Sequence, residues 1–327
     1  MNTIPDSPTD PAPPATALAR LDAWMASSPW HPRIVPFFAY IFGLFIASFL
    51  TEPLPVTIPF IYTAQVALVV FLLVRYRKLM PEMTLRFHWL AVPTGVGLLF
   101  AWVYLGYATN WLSAQAQGTP VLGPAMDHLV PTNPTGSGKE GAAPHPILAG
   151  KEQFGAAWFW ATMTTRLLGM SIVVPLFEEL FIRSAVIRAT RSSRRTKNAL
   201  LQLASDLPII GDTVANSKAG KQANALEPQF TQQLVTTPVG FITAFSVFAS
   251  TLIFMLSHQR RDYLGCIACG IVWSWLVWYV NKPKPAQTWD DQPDGGRTGL
   301  GPVSWSHGIT NALLWGWTLR TGDWQFL

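Results

Sequence analysis

Two adjacent carboxylates, Glu178 and Glu179, lie within an otherwise apolar stretch of the chain, residues 167–187. A charged group at the centre of a membrane helix costs about 2.5–3.5 kcal/mol on insertion scales, so such residues are functional candidates. Glu179 and Arg183 are four residues apart, which puts them on one helix face where they can pair. Glu178 points about 100° away from that pair. It has no partner on its own helix, and this suits a general acid or base.

Two further polar pairs occur at the same spacing in apolar surroundings. Phe254 precedes His258 by four residues, and His307 precedes Asn311 by four. Histidine exchanges protons near neutral pH. Histidine and asparagine donors one turn apart can together stabilise an oxyanion. A lone histidine at membrane depth is more often a hydrogen-bonded link between helices than a catalyst, because polar side chains often connect membrane helices.

The composition indicates what must position these groups. Hydrophobic residues make up 50% of the 327 positions and charged residues only 13%, whereas soluble domains carry about 25% charged residues. This excludes a disordered chain, a coiled coil and a disulfide scaffold. The two cysteines, Cys266 and Cys269, share one helical face, and no further ligands follow at zinc-site spacing. We therefore interpret them as packing residues.

Seven runs are long and apolar enough to cross about 30 Å of hydrocarbon as helices. The sequence therefore predicts an all-α, polytopic integral membrane helix bundle of about seven transmembrane helices. The predicted spans are 34–51, 56–74, 88–108, 166–189, 238–258, 262–280 and 301–320.

The segments between the runs predict the domain organisation. The Pro-rich N-terminus is expected to be a disordered tail, and the polar, basic or Asp-rich inserts are expected to be unfolded. The predicted parts are a tail at 1–30, N-terminal membrane helices at 31–110, a loop at 111–153, and a core at 154–327 with inserts at 190–236 and 281–297. Either insert is a candidate for binding a substrate or partner.

The positive charges are distributed asymmetrically. If the N-terminus is cytoplasmic and the seven spans alternate, 17 Lys and Arg residues lie on the cytoplasmic side and 5 on the other. This is the positive-inside pattern, so the basic excess reflects topology and does not indicate a nucleic-acid partner. We expect an integral protein of the bacterial cytoplasmic membrane with a cytoplasmic N-terminus.

The three sets of polar residues, in this order, resemble the motifs of the CAAX-protease and bacteriocin-processing family. This family, also called Abi or type II CAAX prenyl endopeptidases, consists of intramembrane glutamic proteases. The resemblance covers about residues 165–320 and includes the stretch Arg297-Thr298-Gly299, which shortly precedes the last motif. The residues that carry it are Glu178, Glu179, Arg183, Phe254, His258, His307 and Asn311.

The resemblance implies a role for each of these positions. Glu178 and His258 would activate water, and His307 and Asn311 would form the oxyanion hole. Glu179, Arg183 and Phe254 would support the site. No cofactor or metal is implied. The expected substrate is a peptide bond of a membrane protein or a lipidated peptide.

Two other readings remain open. Glu178, His258 and His307 can be arranged as ligands of a zinc ion, although the chain has no His-Glu-x-x-His motif. Alternatively, the protein is a non-catalytic scaffold, an immunity protein or a proton-coupled transporter. Strict alternation of spans also places His258 near the outer end of its span, at a different depth from Glu178.

Overall fold

The computed structural model describes residues 16–51, 54–116, 119, 145–205, 209–283, 288 and 298–326. Within these residues the chain is helical and contains no strand. The predicted all-α class is therefore confirmed for the described part of the chain.

Four helices form the N-terminal part: α1 (Ala17–Ser27), α2 (His31–Thr51), α3 (Ile58–Tyr76) and α4 (Ala91–Ala116). The side chain of Thr16 caps α1 by accepting a hydrogen bond from the Ala19 backbone, and such a cap stabilises the first turn. The disordered tail predicted over 1–30 is thus wrong for α1, and residues 1–15 lie outside the described part. Helices α1 and α2 meet at an angle of 120°.

A long helical segment, residues 146–189, carries the two glutamates and is called the central rod below; it is kinked at Gly155, where φ is 84°. It begins 20 residues before the predicted span, so the loop predicted over 111–153 is wrong for its last residues. Residues 117–118 and 120–144 of that loop lie outside the described part. The rod consists of α5 (Pro146–Leu168), a π-helical segment (Gly169–Val173), α6 (Val174–Glu179), a second π-helical segment (Leu180–Val186) and α7 (Ile187–Ala189).

The insert at 190–236, expected to be unfolded, contains four short helices: α8 (Ser193–Ser205), α9 (Gly211–Asn216), α10 (Lys218–Asn224) and α11 (Gln229–Thr236). The side chain of Gln202 holds three of these helices together. Its side-chain amide donates to the Ala223 carbonyl at 2.8 Å and its oxygen accepts from the Gln229 backbone at 2.9 Å. One side chain therefore joins α8 to the ends of α10 and α11.

The last three helices are α12 (Ala244–Leu256), α13 (Tyr263–Asn281) and α14 (Gly301–Thr321). Helix α12 has 13 residues and is shorter than the predicted span 238–258, because Thr243 and Ser246 form a capping box that fixes its start. Most of the insert at 281–297, residues 284–287 and 289–297, lies outside the described part.

Three of the described helices are long and apolar enough to cross a membrane: Ile58–Leu79, Ala91–Ala116 and Arg260–Asn281. The bent pair formed by α1 and α2 raises the number to four. These helices are evidence that the chain is a membrane protein. By length and composition alone, however, they do not reach the seven spans expected.

Two glycines let α14 approach its neighbours closely. A Cβ atom added to Gly95 of α4 would lie 2.7 Å from the Ser306 carbonyl oxygen. One added to Gly308 of α14 would lie 2.3 Å from the Ser171 carbonyl oxygen in the first π-helical segment. Small residues allow membrane helices to pack backbone against backbone in this way. Helix α14 is therefore held between α4 and the central rod.

Candidate active site

A cavity of about 190 Å³ lies between the central rod, the chain after α12 and α14. The four residues expected to act directly, Glu178, His258, His307 and Asn311, all line it. The structure thus brings together side chains up to 133 positions apart in the sequence. Trp102, Phe254 and Trp273 form much of its apolar wall.

Glu178 faces this cavity without a direct hydrogen bond to another described residue. Its side chain is 9% exposed, and its Oε2 atom is buried with no hydrogen-bond partner. The Nε2 atom of His307 lies 3.7 Å from Oε2. A water molecule can bridge groups at such a separation. Burial without a partner leaves this carboxyl available for proton transfer.

Glu179 occupies a different environment from its neighbour. Its Oε2 atom lies 3.4 Å from Arg183 Nε, the pairing that the helical spacing predicts, and both side chains are buried. Its Oε1 atom lies 2.9 Å from His307 Nδ1. The Arg183 guanidinium also lies over the Phe254 ring, 5.6 Å from its centroid. Glu179 therefore links the buried cation of one helix to the histidine of another.

The contacts of His307 define its tautomer. An ionised carboxylate only accepts hydrogen bonds, so Nδ1 donates to Glu179 and, in the neutral ring, Nε2 carries the lone pair. The ring stacks on Trp273 with a centroid distance of 4.2 Å. Trp273 in turn donates to Ser306 at 3.1 Å. Packing and a hydrogen bond thus fix the orientation of the ring.

His258 is oriented by its own backbone. Its Nδ1 atom lies 2.8 Å from the Phe254 carbonyl oxygen, which can only accept, so Nδ1 donates and Nε2 is an acceptor in the neutral ring. Helix α12 ends at Leu256, and His258 lies in the turn beyond it. This explains how His258 reaches the same cavity as Glu178 although strict alternation of straight spans places the two at different depths.

Asn311 contacts the first π-helical segment. Its Nδ2 atom donates to the Met170 carbonyl oxygen at 2.7 Å. An asparagine amide has two N–H donors, so one remains for a ligand in the cavity.

The helix around the two glutamates is irregular. Pro175 has no backbone N–H, and a proline within a helix removes a hydrogen bond. The two π-helical segments on either side of Glu178 and Glu179 were not expected from the sequence, although such segments are frequent at functional sites.

A second buried ion cluster, which the sequence did not predict, holds the other end of the central rod. Glu82, in the chain between α3 and α4, accepts hydrogen bonds from Arg33 Nε at 2.6 Å and Nη2 at 2.8 Å, and from Arg188 Nη2 at 2.6 Å. Ser184 also donates to it. Burial raises the pKa of Glu82, but the charges of Arg188 and Arg33 outweigh burial and lower the pKa to about 2.

The described residues do not form a metal-binding group. No three His, Cys, Asp or Glu side chains among them are arranged to hold a metal ion. Cys266 and Cys269 are free and buried in the apolar core. This geometry gives no support to the zinc arrangement of Glu178, His258 and His307.

No protein-family model, curated protein or solved structure matches this chain. The resemblance to intramembrane glutamic proteases therefore rests on the sequence motifs alone.

Proposed function

We propose that this protein is an intramembrane endopeptidase that hydrolyses a peptide bond of a membrane-associated substrate with water activated by a glutamate. One observation carries the proposal: Glu178, His258, His307 and Asn311 line one small cavity, and Glu178 has no direct hydrogen-bond partner among the described residues. The cavity of about 190 Å³ has room for water, since a water molecule occupies about 30 Å³ in the liquid.

In the first step a water molecule between Glu178 and His258 attacks the carbonyl carbon. Its proton passes to the Glu178 carboxylate or to His258 Nε2, which is the acceptor atom of the neutral ring. The water oxygen forms a bond to carbon, and the carbonyl π electrons move to its oxygen. General base catalysis of this kind contributes typically 10²–10⁴-fold.

In the second step the oxyanion is stabilised and the intermediate collapses. The free N–H of Asn311 is one donor. His307 is a second donor, at Nε2, if its ring has taken up a proton from solvent before the attack, and its Nδ1–H then remains bonded to Glu179. The carbon–nitrogen bond then breaks, and the proton held by Glu178 or His258 passes to the leaving amine. Removing one oxyanion donor costs typically 10²–10³-fold in rate.

The proposed membrane arrangement has seven spans: α2, α3, α4, the central rod, α12, α13 and α14. Helix α12 has only 13 residues, so its span needs the chain on either side of it to cross about 30 Å. Helix α14 has 21 residues, which is enough to span about 30 Å. Helix α14 has a lower hydropathy than the other spans because it carries several polar residues. These polar residues are buried and so do not face lipid; they include Ser304, Ser306, His307 and Thr310. We place the protein in a bacterial cytoplasmic membrane with the N-terminus inside, as the charge asymmetry favours.

The experiment is a quantitative comparison of protein termini in membranes that contain wild type, Glu178→Gln or Glu152→Gln at equal abundance. Glu152 is an exposed glutamate of the same rod and serves as the matched control. New termini are expected with wild type and Glu152→Gln, and not with Glu178→Gln. Their sequences would identify the substrate and show whether it is lipidated.

Identical termini in all three membranes, with folded and inserted protein, would overturn the proposal. A scaffold or immunity role would then be favoured if Glu178→Gln also restored every phenotype of a deletion. Loss of cleavage on treatment with a metal chelator would instead favour zinc chemistry.

A further inference from the structure

A second, larger cavity of about 990 Å³ lies between the helices of the 190–236 segment, α2 and α12. Its size is at the upper end of the roughly 300–1,000 Å³ of small-molecule pockets. None of the described residues that line it is Asp, Glu, Lys or Arg. Phe181 and Val186 of the second π-helical segment contribute to its wall. This cavity, called the insert cavity below, therefore has room for a long apolar ligand.

Four of the polar side chains that line the insert cavity, Gln202, Thr190, Thr196 and His31, are bonded within the protein. The Gln202 amide connects α8 to α10 and α11 as described above. The hydroxyls of Thr190 and Thr196 donate to the backbone carbonyls of Val186 at 2.7 Å and Ser192 at 2.8 Å. His31 Nδ1 is bonded to the Trp24 carbonyl at 2.6 Å. A peptide backbone placed here would find few free partners, whereas a hydrocarbon chain needs none.

The walls of the insert cavity continue onto an apolar outer surface. Leu200 and Leu203 of α8 are 56% and 51% exposed, and Phe248 of α12 is 63% exposed. All three line the cavity. Exposed apolar patches bordered by polar residues mark interaction surfaces. Since α12 is proposed to lie in the membrane, this surface is open to lipid.

Cations adjoin the insert cavity on α8. Arg195 precedes the lining residue Ala199 by four positions, and Lys197 precedes the lining residue Leu200 by three, so each cation lies beside the cavity wall. Both side chains are exposed. In the proposed topology α8 is on the cytoplasmic side, where anionic lipids attract exposed Lys and Arg. An amphipathic helix with these features typically lies in the membrane interface.

We propose that the insert cavity binds an acyl chain of an anionic membrane phospholipid, whose headgroup contacts Arg195 and Lys197. Apolar walls, internally bound polar groups and cations at the rim together select this ligand over a peptide. The 190–236 segment is then a lipid-binding element attached to the second π-helical segment of the central rod.

The test is a titration of the purified, full-length protein in detergent with dioleoylphosphatidylglycerol or dioleoylphosphatidylcholine, with bound lipid counted by native mass spectrometry. One phosphatidylglycerol molecule is expected to bind in preference to phosphatidylcholine. Ala249→Trp fills the cavity that Ala249 lines and is expected to weaken binding at least tenfold. Ala64→Trp, at an exposed alanine of α3, is the matched control and is expected to bind as wild type does.

The headgroup contact is tested by a charge-matched pair of variants. Arg195→Gln/Lys197→Gln is expected to weaken phosphatidylglycerol binding roughly 30-fold and to leave phosphatidylcholine binding unchanged. Arg77→Gln/Lys78→Gln removes two exposed cations next to α3 and is expected to have no effect. Unchanged binding by Ala249→Trp, or equal loss in both charge variants, would overturn the proposal.

Discussion

His307 Nδ1 lies 2.9 Å from Glu179 Oε1, and this contact joins α14 to the central rod inside the protein. The same carboxylate lies 3.4 Å from Arg183. Glu179 thus neutralises a buried cation and also fixes the tautomer of the histidine that faces Glu178. The two adjacent glutamates consequently have separate tasks: Glu179 positions His307, and Glu178 faces the cavity.

These two tasks of Glu179 can be separated experimentally. Glu179→Gln is expected to destabilise the protein, because breaking a buried ion pair costs about 3–5 kcal/mol. The double variant Glu179→Gln/Arg183→Met removes both charges and is expected to recover most of that loss in thermal unfolding. Both variants are expected to cleave roughly 10³-fold more slowly or worse, as when a buried carboxylate partner of a catalytic histidine is removed. If the double variant regained both stability and cleavage, Glu179 would have only a structural task.

Glu82 is expected to make stability depend on pH in the acid range. Its pKa is about 2 in the folded protein against 4.5 ordinarily, so the stabilisation is fully present above about pH 4.5. It is lost as the pH falls from there towards 2, and its size is up to about 3 kcal/mol. As the pH falls over this range, the thermal unfolding temperature of wild type in detergent should therefore drop more steeply than that of Glu82→Gln.

A second acidic residue provides the control for that measurement. The exposed pair of Asp22 and Arg75 also lowers the pKa of its carboxyl through a hydrogen bond from Arg75, but solvent screens such a pair. Asp22→Asn should therefore follow the wild-type pH profile closely. Parallel profiles for wild type and Glu82→Gln would show that the Glu82 cluster does not stabilise the fold.

Gly308 is expected to tolerate no side chain. A Cβ atom there would lie 2.3 Å from the Ser171 carbonyl oxygen, so Gly308→Ala must move α14, and His307 with it, away from the central rod. Overpacking of this kind costs about 1–3 kcal/mol, and cleavage should fall with it. A Cβ atom added to Gly316, on the same helix, would have no neighbouring atom within 4 Å, so Gly316→Ala is the control. It should stabilise the helix by up to about 1 kcal/mol, and equal effects of the two variants would contradict this packing.

The sequence predicted the parts of the site that follow from spacing along one helix. The pairing of Glu179 with Arg183 and the separate direction of Glu178 are examples, because i,i+4 geometry is local. It did not predict the cluster of Glu82, Arg33 and Arg188, whose members are up to 155 positions apart. Arg33 and Arg188 lie at predicted helix ends and Glu82 lies in a predicted loop, where a charge needs no buried partner and gives no signal.

The differences between the predicted and the observed fold have local physical causes. The helices of the 190–236 segment were missed because their polar composition was taken as a sign of an unfolded insert, although α8 places Thr196 and Ala199 on one buried face. The span 238–258 was predicted too long because average hydropathy does not register the capping box at Thr243. The π-helical segments were not predicted, because the apolar periodicity of residues 167–187 does not distinguish a π-helix from an α-helix.

The central claim is that Glu178 activates water without a metal ion. The most direct measurement is cleavage of a substrate identified from the new termini, by purified protein in proteoliposomes, with and without a strong chelator. We predict equal cleavage by wild type and Glu152→Gln under both conditions, and a loss of at least 10²-fold in Glu178→Gln. Wild-type cleavage by folded Glu178→Gln, or cleavage that stops on chelation, would contradict the account.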